Sequence, residues 1–169
     1  NKVLDIVESD PDVKGWLLVG KPFIFNVGAD IMSVDPDMSR DDAVQIGRMG
    51  HNSFKRIMNL KIPTLAAING AAMGAGMDMA IMCDLRVCSD RARLAESYIM
   101  MGLVPGDGGA YFLPRLVGTS KALELLLTGD VMTAEEALGL GIVNRVVPHD
   151  QLMAETMKLA EKIAAKPPL

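Results

Sequence analysis

The run Asn69-Gly70-Ala71-Ala72-Met73-Gly74-Ala75-Gly76-Met77-Asp78 constrains this chain more than any other stretch. It follows an apolar segment, Thr64 to Asn69, and leads into a segment with an early carboxylate. It therefore reads as a strand, a glycine- and alanine-lined turn, and the start of a helix. Small residues leave the main chain bare there. A ligand oxygen can approach the backbone N–H groups closely, and the positive end of the following helix favours negative charge. The run predicts an anion site that uses no lysine. A second short segment, Phe25-Asn26-Val27-Gly28-Ala29-Asp30, has the same character. Together they predict an oxyanion held between two backbone amides from distant parts of the chain.

Strand and helix alternate around these turns. Val13 to Gly20, Phe23 to Asn26, Thr64 to Asn69 and Asp84 to Ser89 read as short apolar strands bounded by turn residues. A helix is predicted from Ser39 to about Asn59, opened by Ser39 with Asp42 and ended by Lys61-Ile62-Pro63. Further helices are predicted at Gly108 to Val117, Ser120 to Leu127, Thr133 to Leu138 and Gln151 to Ala164, with Thr133 and Glu136 as a capping box. Near-continuous apolar strands alternating with helices predict a parallel sheet in an α/β fold. Asn1 to Val7 reads as a helix already under way, and Lys166-Pro167-Pro168-Leu169 stops just after another, so a longer chain is expected.

Composition narrows the function classes. The chain has 169 residues, half of them hydrophobic, which suits one domain over residues 1–169 with a real core. Aromatics make up 4% while there are 13 methionines, as expected for helices packed through small and flexible side chains. A net charge of −4 and a pI near 5.1 offer no basic field for nucleic acid. Cys83, Cys88, His51 and His149 lack the grouping of a metal site, so no metal is expected and both cysteines read as buried thiols. No apolar run is long enough to span a membrane. A soluble, cytoplasmic protein is expected, with the mitochondrial matrix left open.

The ordered motifs resemble the crotonase (enoyl-CoA hydratase/isomerase) superfamily. Gly28-Ala29-Asp30-Ile31 is similar to its first oxyanion-hole motif. Pro63-Thr64-Leu65-Ala66-Ala67-Ile68-Asn69-Gly70 with Gly74-Ala75-Gly76 is similar to its second. Met82-Cys83-Asp84, Gly102-Leu103-Val104-Pro105-Gly106, Leu127-Thr128-Gly129 and Ala134-Glu135-Glu136-Ala137 with Gly139-Leu140-Gly141-Ile142-Val143 follow in the family's order. The resemblance implies an α/β, crotonase-like (ClpP/crotonase) spiral of β-β-α turns with two roughly perpendicular sheets, here without the family's N-terminal strands and C-terminal helices. It also implies homotrimers or pairs of trimers, acyl-CoA thioester substrates, and no cofactor beyond the coenzyme A of the substrate.

The resemblance makes the amides of Ala29 and Ala75 the oxyanion donors, with Gly28 and Gly74 lining their turns. Two such donors on a thioester enolate make removal of its alpha proton feasible, each being worth about 10²–10³ in rate. Asp78, about one turn into the helix that begins near Ala75, is the first candidate for moving that proton. The alternative role is a carboxylate that merely offsets the helix dipole. Aspartate here resembles the dienoyl-CoA isomerases, since the family's hydratases commonly carry glutamate.

Where hydratases carry a second glutamate, this chain has Tyr98, a donor rather than a base at neutral pH. Plain two-carboxylate hydration is thereby put in doubt. Glu96 shares a face with Tyr98 if the segment is extended, although it reads more readily as a solvent-facing strand residue. Asp107 is a third acid, near a loop from which isomerases and dehalogenases of the superfamily bring a carboxylate, or else a helix cap. Asp30 reads as a cap or loop partner, and Asp84 as structural. Gly76-Met77-Asp78 lacks the serine that peptidase relatives need, and neither a GxxxxGK[ST] nor a GxGxxG pattern is complete. Two readings remain: an enoyl-CoA hydratase/isomerase type of enzyme, with dienoyl isomerase, dehalogenase or hydrolase variants, and a binding protein of the same fold without turnover.

Overall fold

The computed structural model describes residues 2–28, 35 and 37–167. In chain order the elements are α1 (Lys2–Ser9), β1 (Trp16–Val19), β2 (Ile24–Asn26), α2 (Arg40–Met58), β3 (Thr64–Ile68), β4 (Ala71–Met73) and α3 (Ala75–Met82). These are followed by β5 (Leu85–Ser89), β6 (Arg93–Ala95), a 3-10 turn at Ser97–Met101, α4 (Gly109–Val117) and α5 (Thr119–Thr128). The chain continues with β7 (Met132–Thr133), α6 (Ala134–Gly139), β8 (Arg145–Val147), a short 3-10 turn at His149–Gln151 and α7 (Leu152–Ala164).

Two four-stranded sheets result. One has the order β1-β3-β5-β8, every pair parallel; the other has the order β2-β4-β6-β7, parallel except for the last pair. A repeated unit generates them: one strand joins the first sheet, the next joins the second, and a helix follows. β1, β2 and α2 form one such unit, β3, β4 and α3 another, and β5, β6 and α4 a third. The β-β-α repeat implied by the family resemblance is what the chain does. Alternation predicted parallel pairing, which holds for all but the β6–β7 pair, and each crossover moves the chain from one sheet to the other.

The crossovers are held by specific contacts. Asn69 Oδ1 accepts from the Gly20 amide at 3.1 Å and its Nδ2 donates to the Lys21 carbonyl at 2.6 Å, tying the β3 crossover to that of β1. A Cβ on Gly70 would overlap the Phe23 carbonyl, and Phe23 itself is held at φ 71°. The strand therefore starts at Ile24 rather than Phe23. The first half of the Asn69 to Asp78 run thus serves the fold, and only its second half reaches the site.

The core lies between the sheets and the helices, around Ile68, Met77, Leu94, Leu113 and Ile142, all fully buried. Ser39 caps α2, accepting from the Asp42 amide, and Thr133 with Glu136 forms a reciprocal capping box on α6. Cys83 and Cys88 are buried free thiols. Asp84 accepts from the amide and hydroxyl of Thr64, which pins the start of β5 to β3. Among the described residues no helix is long and apolar enough to cross a membrane, and no group of three His, Cys, Asp or Glu is placed to hold a metal ion.

Candidate active site

The parallel pairing of β2, β4 and β6 brings three chain exits together. Asn26 pairs with Ala72, and Met73 with Ala95, so Val27-Gly28, Gly74-Ala75 and Glu96-Ser97-Tyr98 leave the same edge of the second sheet. Crevices beyond the carboxyl ends of parallel strands are where α/β folds place ligands. Here that edge encloses a cavity of about 200 Å³, lined by Val27, Gly28, Gly74, Ala75, Ser97, Tyr98, Met101, Leu103 and Asp107.

Gly74 turns the chain into α3. Its φ of 52° and ψ of −122° suit glycine, and its amide donates to the Ala95 carbonyl at 2.9 Å. The Gly74 carbonyl accepts from the Asp78 amide at 3.0 Å, so Ala75 opens the helix and its own N–H has no intrahelical acceptor. Gly28, at φ 93°, lies against it: a Cβ on Gly28 would sit 3.8 Å from the Ala75 nitrogen. Gly76 lets α3 approach β2, because a Cβ there would overlap the Asn26 carbonyl. Ala29, Asp30 and Ile31, the other residues of the first motif, lie outside the described residues.

Asp78 is fully buried, one turn into α3. It stands behind Tyr98 rather than on the cavity wall. The Tyr98 hydroxyl is 2.7 Å from Asp78 Oδ2 and 3.0 Å from Asp107 Oδ2. Tyr98 and Asp107 face the cavity and Asp78 is reached through the phenol. Asp107 does not cap a helix: the residue before α4 is Gly108, with no side-chain cap, and the Asp107 carboxylate turns to Tyr98 instead.

Glu96 differs from both readings made of it. The strand ends at Ala95, so Glu96 and Tyr98 do not share one extended segment, and Glu96 is 1% exposed rather than solvent-facing. Its carboxyl packs beside that of Asp78. Gly109, which sequence reasoning missed, makes room for the two: a Cβ there would lie 2.5 Å from Asp78 Oδ1 and 2.7 Å from each Glu96 oxygen. The Gly108-Gly109 pair after Asp107 was the available signal.

Burial sets the electrostatics of this cluster. It pushes the Asp78 carboxyl above the usual aspartate range, opposed first by the Tyr98 hydroxyl and then by Glu96, while the charge of Asp107 adds to the rise. Burial lifts Glu96 still further, reinforced by the neighbouring charge of Asp78. The Tyr98 phenol is driven upward by burial and by both aspartates, which keeps it a donor. Elsewhere, a cleft of about 420 Å³ beside Glu8, Lys55 and Arg56 has no such grouping.

Comparison with known proteins fits this arrangement. A family model described as enoyl-CoA hydratase/isomerase matches residues 1–169. The chain belongs to the enoyl-CoA hydratase/isomerase family. This family member is 42% identical to the fatty acid oxidation complex subunit alpha of Shewanella putrefaciens, covering 99% of this chain and 24% of that one. Among solved structures, an enoyl-CoA hydratase from Bacillus anthracis superposes with a TM-score of 0.93 at 31% identity, covering 99% of this chain and 65% of that one. An enoyl-CoA hydratase from Mycobacterium smegmatis gives 0.91 at 33% identity, with 98% and 64% covered. The chain thus spans about a quarter of those curated relatives and about two thirds of the solved chains. The crotonase fold and the family follow from the match.

Proposed function

We propose that this chain forms the acyl-CoA site of an enzyme that moves a proton alpha to a thioester carbonyl. The observation that carries the reading is the Tyr98 hydroxyl set between Asp78 and Asp107 at the wall of the cavity that the Ala75 amide borders. The thioester oxygen takes hydrogen bonds from the amides of Ala75 and Ala29; support for Ala29 is that Gly28, its chain neighbour, lies against Ala75. As the alpha C–H bond breaks, its electron pair moves onto that oxygen and the two donors stabilise the enolate.

Asp78 receives a proton by relay: the Tyr98 oxygen takes the alpha proton as its own O–H proton passes to Asp78 Oδ2, so the phenol ends protonated and Asp78 neutral. Asp107, on the cavity wall, is placed to return a proton to another carbon. The relatives named as hydratases act by adding water, yet here the space between the two carboxylates is filled by the phenol. That favours a proton shift along the acyl chain. A second cavity of about 240 Å³, lined by Phe54, Met58, Tyr111 and Phe112, also reaches Asp107 and offers an apolar place for the acyl group. No cofactor beyond the coenzyme A of the substrate enters this scheme. Trimeric assembly belongs to the same proposal and is read from the mass of the whole protein in solution.

The test is exchange of alpha protons in deuterated water on saturated, enoyl and dienoyl thioesters. Exchange or double-bond migration without net hydration supports the reading. Net addition of water replaces the proton shift with hydration, and tight binding with neither points to a non-catalytic acyl-CoA protein.

A further inference from the structure

We infer that Glu96 is a positioning residue carried as a neutral carboxylic acid, whose O–H donates to Oδ1 of Asp78 and fixes that carboxylate facing Tyr98. The inference deepens the proton-transfer reading and uses the same site. Among the described residues, three side-chain oxygens are fully enclosed and have no donor: Asp78 Oδ1 and both Glu96 oxygens. All three crowd the position that a Gly109 Cβ would take. Two ionised carboxylates in such a place repel one another and lose their hydration, and neither is offset by a buried cation. A single proton between them removes one charge and provides the missing donor.

The neighbours decide which carboxyl holds it. Asp78 Oδ2 already accepts from the Tyr98 hydroxyl, which favours the ionised form of Asp78. Glu96 has no donor favouring its own ionised form, and burial raises it more than Asp78. The groups facing the pair are Asp78 from α3, Tyr98 from the 3-10 turn, Asp107 from the loop before α4, and the Gly109 amide from α4 itself. None of these carries a positive charge, so nothing pulls the proton off Glu96. The outcome is an aspartate that stays ionised at neutral pH in a buried site because a second acid beside it does not.

Infrared spectroscopy of the whole protein reads this without reference to catalysis. A buried protonated-carboxyl band is expected at about pH 7, retained in Asp78→Asn and lost in Glu96→Gln. Absence of the band in the wild type, or its persistence in Glu96→Gln, overturns the inference whether or not the protein turns over any thioester. The pH profile gives the second readout. Glu96→Gln, which keeps a neutral donor, should leave the acid limb near its wild-type position, whereas Glu96→Leu should move it up by about one pH unit, a roughly tenfold loss on that limb. An acid limb that moves down in Glu96→Gln means Glu96 is ionised in the wild type and contradicts the inference.

Discussion

The hydroxyl of Tyr98 lies 2.7 Å from Asp78 Oδ2 and 3.0 Å from Asp107 Oδ2, yet it has one proton to give. The two carboxylates compete for that proton, with Asp78 the nearer acceptor. Tyr98 and Asp107 line the cavity, so on the proposed reading the hydroxyl couples the buried acid to the open one.

Tyr98→Phe tests that coupling. The ring, and hence the packing, is kept, while Asp78 loses the hydrogen bond that most opposes its upward shift. Because Asp78 is reached only through the phenol, the kcat/KM plateau should fall by about 10²-fold or more, as in Asp78→Asn, with any residual acid limb moved to higher pH and stability changed by about 1 kcal/mol. A pH profile with thermal unfolding separates the two effects.

Gly109→Ala tests the crowding around the two acids. The added methyl would meet the buried side-chain carboxyls of Asp78 and Glu96 at 2.5 and 2.7 Å, so a loss of about 1–3 kcal/mol in stability is expected together with loss of activity. Gly47, inside α2, has open space at its Cβ position, and Gly47→Ala should be stabilising by about 0.5–1 kcal/mol. Denaturant unfolding of both variants gives the comparison.

Much of the frame was legible because its signals are local. The caps at Ser39 and Thr133 and the burial of β3 depend on residues within a few positions of one another. β4, β6, β7 and β8 are two or three residues long and exist through pairing with distant strands, so periodicity could not show them. The site divides in the same way. Ala75, Asp78, Tyr98 and Asp107 were readable as candidates, but their convergence depends on the register of β4 against β6. The burial of Glu96 was not readable at all, since Ala95-Glu96-Ser97-Tyr98 is polar in sequence and only Gly109, from another element, makes room for the carboxyl.

The pH dependence of stability follows from Glu96. Its carboxyl is raised in the folded protein, so above the ordinary glutamate range the unfolded chain releases a proton that the folded chain keeps. The stability tied to that proton is fully present below this range and is lost as pH rises through the folded-state value, by at most about 1.4 kcal/mol per pH unit. Glu96→Gln should therefore flatten the decline of Tm on the alkaline side. Thermal melts of both proteins across that range measure the difference.

Asp107→Asn should spare alpha-proton removal and depress the return of a proton to the distant carbon, because Asp78 keeps its link through Tyr98. Exchange would then outpace double-bond migration by about tenfold or more. Product analysis alongside exchange on a dienoyl thioester reads the ratio.

The most direct measurement is deuterium incorporation at the alpha carbon of a bound acyl-CoA thioester, comparing the whole wild-type protein with Asp78→Asn. Exchange in the wild type and a fall of about 10²-fold or more in the variant, with thioester binding retained, is the expected result. Undiminished exchange in Asp78→Asn would contradict the assignment of Asp78 as the proton acceptor.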